Sequence, residues 1–191
     1  VNNNNIMIMI LRSVIITVTC VAASMISSLC ISYVIAKFKF PGRNVMYAVI
    51  IVVMLIPTVG TTAATFKLIN QLGLLNNYLA LIILCSGGLG FQFLMLHGVF
   101  KSISWSYAEA AMIDGASDFK IFRSVMIPLA GPTIAPLLVM NVIGVWNDYF
   151  TPFLYMPGKP NLAVGLNEFV GLVQVTHDYP VLFMLMIILM E

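Results

Sequence analysis

The chain has 191 residues and a formal net charge of +2; 61% of its residues are hydrophobic and only 8% are charged. Both fractions lie far outside the range of soluble globular domains. The composition therefore excludes an ordinary soluble domain and predicts a membrane protein.

Four apolar stretches are each long enough to cross a bilayer, which takes about 20 residues in a helix. They are Ser13–Ile35, Val45–Phe66, Leu79–Phe100 and Ser124–Val145. A fifth stretch, Val181–Met190, is too short to span. We therefore expect residues 1–191 to be one transmembrane domain and a fragment, with an earlier span and the end of the last span missing. Such long, evenly apolar stretches are typical of helices and not of alternating barrel strands, so the predicted fold is an all-α, polytopic helical bundle.

Prolines predict irregular backbone in two of these spans. Pro57 lies inside the second span and predicts a kink, because proline removes a backbone donor. Three prolines recur every four residues at the start of the fourth span, at Pro128, Pro132 and Pro136. The last two predict a helix that is distorted or starts late.

Positive residues predict the orientation. Two links hold six of the nine lysines and arginines, namely Lys37, Lys39, Arg43, Lys101, Lys120 and Arg123. Alternating spans bring these two links to the same side of the membrane, and the positive-inside rule makes that side the cytoplasm. The Lys67–Tyr78 link and the Trp146–Pro180 segment then face outward.

Residues 101–123, which we call the knob, concentrate charge between two apolar stretches. Charge in so apolar a chain marks contact with water or a soluble partner, so we expect a docking surface. Trp105–Asp114 reads as a short helix with an apolar stripe of Trp105, Ala108 and Met112. Gly115 suits the position after that helix, where φ is positive, and Ser117 suits the start of a second short helix.

Polar residues inside or at the end of the spans are candidates for a substrate path. Gln92 and Asn141 lie within spans, and Trp146, Asn147 and Asp148 follow at the outer end of the fourth. Structural roles compete with this interpretation. Buried amides commonly hydrogen-bond a neighbouring helix, and Trp146 suits an interfacial anchor.

The knob resembles a known motif. Glu109-Ala110-Ala111, three residues, Gly115, nine residues and Val125-Met126-Ile127-Pro128 resemble the EAA loop of ABC importer permeases, with Val125 and Ile127 as mild departures. Five further segments look like the carbohydrate, maltose-permease-like branch of that family, although Asn77 stands where a threonine is usual. They are Phe40–Asn44, Leu72–Tyr78, Ile113–Ser117, Trp146–Phe150 and Leu162–Leu166.

The resemblance implies a permease subunit of an ATP-driven, binding-protein-dependent importer, for a sugar, in the bacterial cytoplasmic (inner) membrane. It implies that a coupling helix contacts cytoplasmic ATPase subunits through Glu109, Ala110, Ala111, Asp114 and Gly115. It also implies that the outer loop contacts an extracytoplasmic substrate-binding protein through Asn161, Leu162, Ala163, Val164 and Gly165. The competing interpretation is that Leu162–Leu166 dips into the membrane interface. The remaining predicted partners are a second permease subunit and the lipid bilayer, with no nucleic acid.

Several activities are not expected of this chain. It contains no G-x-x-x-x-G-K-[ST] phosphate-binding motif, so ATP hydrolysis is expected on a separate chain. We predict no catalytic residues, no cofactor and no metal site, because no nucleophile–base pair or ligand spacing stands out. Two alternatives from other classes remain, an ion-coupled secondary transporter and a structural subunit of a membrane complex. The first would need intramembrane acids, and none lies inside the four predicted spans.

Overall fold

The computed structural model describes residues 6–56, 60–87 and 90–176, with side chains described as far as residue 171. This part of the chain is helical and contains no strand, so the all-α prediction is confirmed. In chain order the elements are α1 Ile6–Lys37, α2 Arg43–Leu55, α3 Thr62–Gln71, α4 Tyr78–Ser86, α5 Phe91–Ser102, α6 Ser106–Ile113, α7 Asp118–Ile121, a π-helical segment Phe122–Met126, α8 Ile127–Asn147, α9 Phe150–Tyr155 and α10 Leu162–Thr176.

Helix α1 is the central element, since α4, α5, α8 and α10 all pack against it. Among the larger apolar residues on its buried side, small hydroxyl residues recur at helical spacing: Ser13, Thr17, Ser24, Ser28 and Ser32. Small side chains let membrane helices approach closely. The predicted span Ser13–Ile35 lies inside this 32-residue helix.

The second predicted span, Val45–Phe66, is wrong as one continuous helix. Helix α2 ends at Leu55, and the backbone of Ile56 is extended, with φ −75° and ψ 121°. A residue before proline is pushed out of the helical region by the proline ring, which explains the break. Pro57 itself, and with it the predicted kink, lies outside the described residues.

The third predicted span, Leu79–Phe100, forms two helices rather than one. Helices α4 and α5 are bent by 47° relative to each other, and together they are apolar and long enough for one bent span. The break lies in a glycine-rich stretch, and glycine disfavours a continuous helix. Within the described residues, α1 and the run Asp118–Asn147 are the two helices that qualify as spans, or three with the bent pair.

The fourth predicted span starts earlier than the prolines suggest. The run from Asp118 to Asn147 is continuous, and Pro132 and Pro136 lie inside α8. The distortion is a π turn that precedes them, in which the Ile127 N–H bonds the Phe122 carbonyl five residues back. Pro128 lies inside this continuous run, where the π-helical segment meets α8, so its ring removes one backbone donor from the helix there. The helix is distorted, but at the π turn and not at Pro132 or Pro136, from which the distortion was predicted; the predicted late start is wrong.

The apolar core has three clusters, of which a small one joins α1, α2 and α5. The two larger clusters lie toward the two ends of α1. One cluster joins α1, α5, α6 and α8 around Tyr33, Phe100 and Met126. The other joins α1, α4 and α9 around Cys20, Leu81 and Tyr155. The first cluster supports the knob, and the second supports the segments at the opposite end of the bundle.

Candidate functional site

The knob contains the predicted short helix, in the form of α6. Trp105 and Asp114 are its N-cap and C-cap residues, and Gly115 follows with φ +77°. The Gly115 N–H bonds the Met112 carbonyl at 2.9 Å, and the Ala116 N–H bonds the Ala111 carbonyl at 3.0 Å. This pair of bonds is a Schellman motif, which ends a helix through a residue of positive φ. Ser117 begins α7 as predicted, although its side chain makes no capping hydrogen bond.

The buried side of α6 differs from the predicted stripe at one position. Ala108 is fully buried, and Trp105 and Ala111 pack against the core cluster beneath them. Met112 is 41% exposed, so its inclusion was wrong. Two alanines and a tryptophan three residues apart form the packed side instead, because the small alanines let the helix lie close on the core.

Contacts with α1 hold the base of the knob. The Lys37 ammonium donates a hydrogen bond to the Ile103 carbonyl at the end of α5. The Phe38 and Trp105 rings meet edge to face, with centroids 6.3 Å apart, and the Tyr33 and Phe122 rings lie 4.7 Å apart. The knob is therefore fixed to α1 at the residues where it leaves α5 and where it enters the π turn.

The outer surface of the knob carries most of the predicted coupling residues. Glu109, Ala110, Asp114 and Gly115 are exposed, and Ala111 is half-buried. Large apolar side chains that the sequence analysis missed are also exposed on the knob: Tyr107 at 54%, Ile113 at 87% and Phe119 at 70%. The sequence indicates such residues only in that large apolar residues occur within a charged loop. Exposed apolar surface with polar surroundings marks an interaction site.

The two amides predicted for the substrate path, Gln92 and Asn141, contact each other. Asn141 Nδ2 on α8 donates to Gln92 Oε1 on α5 at 3.1 Å, and also to Ser24 Oγ on α1. Gln92 Nε2 lies 3.2 Å from Met25 Sδ. Three helices thus meet through one polar network, to which Ser24 contributes a hydroxyl that the sequence analysis missed.

The same amides line an open groove of about 420 Å³ between α5 and α8. Asp148, at the end of α8, lines it as well, and its Oδ1 accepts a hydrogen bond from the Thr151 N–H at 3.0 Å. Trp146 and Asn147 do not belong to the groove lining, and Asn147 Nδ2 bonds the Ile143 carbonyl at 2.9 Å. The structure therefore brings together Gln92, Asn141 and Asp148 of the five predicted path residues.

The predicted binding-protein contact, Asn161–Gly165, is not an exposed loop. Asn161 is 1% exposed, and its Oδ1 accepts from the Val164 N–H at 2.9 Å in the first turn of α10. The Leu162 N–H bonds Ser13 Oγ at 2.9 Å, and α10 packs against α1. Leu162, Ala163 and Gly165 are half-buried. The premise of exposure was wrong, because α10 packs against α1 and the distant Ser13 hydroxyl accepts from the Leu162 N–H.

The neighbouring segment, Pro157 and Gly158, is the exposed part of this region. Asn76, which has φ +59°, holds it. The Asn76 N–H bonds the Tyr155 carbonyl at 2.9 Å, and the Gly158 N–H bonds Asn76 Oδ1 at 2.7 Å. Lys159 lies over the Tyr78 ring, with its Nζ 5.2 Å from the ring centroid. The turn after α9 is thus fastened to the turn after α3.

Comparison with known proteins gives consistent results. Residues 28–190 match the family of binding-protein-dependent transport system inner membrane components. The diacetylchitobiose uptake system permease protein NgcG of Streptomyces coelicolor is 34% identical over 143 residues, which are 74% of this chain and 47% of that protein. The sn-glycerol-3-phosphate transport system permease protein UgpE of Salmonella typhi is 31% identical over 156 residues, 81% of this chain and 54% of that protein.

A solved structure is also similar. It is a bacterial ABC transporter involved in the import of the acidic polysaccharide alginate, with a TM-score of 0.78 and 27% sequence identity, over 91% of this chain and 65% of that one. The chain spans about half the length of the curated relatives that it matches. The family match covers most of the chain, and the predicted resemblance is confirmed. The chain belongs to the family of binding-protein-dependent transport system inner membrane components.

Proposed function

We propose that this chain is the membrane-spanning part of a permease subunit in an ATP-driven importer that takes up a sugar delivered by a binding protein. The observation that carries the proposal is the knob, a helix–turn–helix that packs on the core and whose exposed surface includes Glu109, Ala110 and Gly115. A buried base and an exposed, partly apolar outer surface suit docking to another protein. The relatives named above, an uptake permease for diacetylchitobiose among them, support the same proposal.

The connections of the knob suggest how ATP hydrolysis elsewhere would reach the transport path. Ile103 joins the knob to α5, which carries Gln92, and the π-helical segment joins it to α8, which carries Asn141 and Asp148. Both walls of the groove are therefore continuous with the knob. A cytoplasmic ATPase that moves the knob would shift α5 and α8, and the groove between them would open or close. π turns inside helices recur at functional sites, and this one lies at the junction of knob and span.

Two exposed surfaces, on α2 and on the turn after α9, suit the remaining predicted partners. A second permease subunit would cover the apolar residues that α2 exposes, of which Val45, Val49 and Val52 are more than half exposed; lipid would cover them equally well. A soluble binding protein would meet Pro157 and Gly158 before it met Asn161, which is buried. ATP hydrolysis belongs to the ATPase partner, so this chain is a transport subunit and not an enzyme.

Purification of the full-length protein from its own membranes tests the proposal. We expect an ATPase subunit with a G-x-x-x-x-G-K-[ST] motif to co-purify, and the complex to hydrolyse ATP in proteoliposomes. Uptake driven by an ion gradient, without ATP and without such a partner, would contradict the proposal and favour a secondary transporter.

A further inference from the structure

The groove between α5 and α8 has a definite charge. Asp148 is the one charged residue among the described residues that line it, and the lining contains no lysine, arginine or histidine. The polar side chains beside it, Gln92 and Asn141, are neutral amides. The electrostatic potential of the groove is therefore set by a carboxylate.

Among the polar side chains of the groove, free hydrogen-bond acceptors also outnumber free donors. Both hydrogens of Asn141 Nδ2 are used, one toward Ser24 Oγ and one toward Gln92 Oε1. No donor among the described residues reaches Asn141 Oδ1, and the hydrogen bond to Asp148 is made to Oδ1, which leaves Oδ2 available. An amide or carboxylate oxygen accepts and never donates. Gln92 Nε2 uses one hydrogen toward Met25 Sδ and keeps the other as a donor. Against this donor stand the free acceptors Asn141 Oδ1 and Asp148 Oδ2, so the groove offers more acceptors than donors to a ligand.

A ligand that complements such a groove must donate hydrogen bonds. Sugar hydroxyls donate, and a sugar ammonium group donates and also pairs with the carboxylate. A carboxylate or phosphate group has only acceptors at neutral pH, so it would meet unpaired acceptors and a like charge. Like charges in a partly desolvated site disfavour binding.

We propose that this groove binds neutral or amine-bearing sugars and discriminates against sugars that carry carboxylate or phosphate groups. The inference rests on the proposed import function and narrows its substrate class.

A test uses the full-length protein with its co-purified subunits, in detergent and without soluble binding protein, so that the groove itself is probed. Three disaccharides of similar size serve as ligands at pH 6: chitobiose with free amines, cellobiose and digalacturonate. Affinities are measured by saturation-transfer NMR. We expect digalacturonate to bind about five- to tenfold more weakly than chitobiose. This difference in affinity is what one partly solvated charge pair contributes.

Variants of Asp148 make the test specific. Asp148→Asn removes the negative charge but keeps an oxygen that accepts from the Thr151 N–H. It should therefore weaken the binding of chitobiose about fivefold and leave the binding of cellobiose nearly unchanged. Asp148→Lys should reverse the order and favour digalacturonate. Glu168→Lys makes the same charge change at an exposed residue of α10, and it should keep the wild-type order.

Three results would overturn the inference. The first is equal binding of digalacturonate and chitobiose by the wild type, and the second is an order of affinities that Asp148→Lys does not alter. Failure of all three sugars to bind a complex that still hydrolyses ATP would also reject the groove as a sugar site, while the proposed import function would stand. Absence of any ATPase from the complex would instead contradict the proposed function.

Discussion

The ammonium of Lys37, the last residue of α1, donates a hydrogen bond to the carbonyl oxygen of Ile103, the C-cap residue of α5. Trp105, the N-cap of α6, follows two residues later and packs its ring edge-on against Phe38. The end of the longest helix is thereby fastened to the entrance of the knob. A force applied to α6 would act on α1 and α5 together rather than bend a loose link.

Removal of the Lys37 donor should therefore loosen the knob. Lys37→Met keeps most of the apolar stem but leaves the Ile103 carbonyl unpaired, at a cost of about 1–3 kcal/mol. We expect a lower midpoint of thermal unfolding, followed by Trp105 fluorescence in a Trp146→Phe background. Lys39→Met, at an exposed lysine of the same link, is the matched control. Equal midpoints for both variants would show that the bond contributes nothing.

Gly115 should tolerate alanine far less well than another open glycine does. A Cβ added at Gly115 or at Gly98 meets no atom within 4 Å, but only Gly115 has positive φ, at +77°. Gly115→Ala should destabilise by about 1–2 kcal/mol because of its left-handed backbone. Gly98→Ala, inside α5, should stabilise by about 0.5–1 kcal/mol. Calorimetry of the two variants checks the opposite signs, and shifts in the same direction would argue against this turn.

Asn161 should behave as a structural residue rather than as a surface contact. Asn161→Ala removes the acceptor for the Val164 N–H and the donor to the Asp148 carbonyl. Loss of such a cap costs about 0.5–2 kcal/mol. We expect a lower unfolding midpoint, whereas Asn167→Ala, at an exposed residue of the same helix, should change little. A normal midpoint with impaired binding-protein contact would restore the surface assignment.

Orientation can be checked by labelling intact cells with a membrane-impermeant thiol reagent, in a background that lacks Cys20, Cys30 and Cys85. Ser117→Cys should resist the reagent, because the distribution of positive residues predicts that the knob is cytoplasmic. Pro157→Cys should be labelled. Both positions are exposed, so the access of the reagent to them differs only by the side of the membrane on which each lies. Rapid labelling at position 117 would invert the topology and remove the docking argument.

Local signals in the sequence predicted local structure well. The helix of the knob, its glycine turn and the second short helix depend on residues within a few positions of one another. The break at Ile56 was predicted only as a kink at Pro57, and the break between α4 and α5 was missed. The length of an apolar stretch shows whether it can span a membrane, but not whether its helix is continuous. Proline and glycine next to those breaks carried the information, through their backbone preferences.

Contacts between segments that are far apart along the chain could not be predicted from the sequence. Asn141 meets Ser24 and Gln92 across 117 and 49 residues, and Leu162 meets Ser13 across 149. A single sequence shows that an amide is polar, but it does not show which helix provides its hydrogen-bond partner. The same limit explains why Asn161 was expected at the surface, and why Asp148 joined the groove while its neighbours Trp146 and Asn147 did not.

Docking of the knob on an ATPase is the central claim, and site-specific photo-crosslinking tests it most directly. The photoreactive group replaces Ala110, an exposed residue of α6, in the full-length protein within intact membranes, and Ala135, an exposed alanine of α8, is the control. We predict that position 110 crosslinks to a cytoplasmic ATPase subunit in a yield that changes with bound nucleotide, and that position 135 does not. Crosslinks from position 110 to lipid alone, in membranes that retain ATP-driven uptake, would contradict the account.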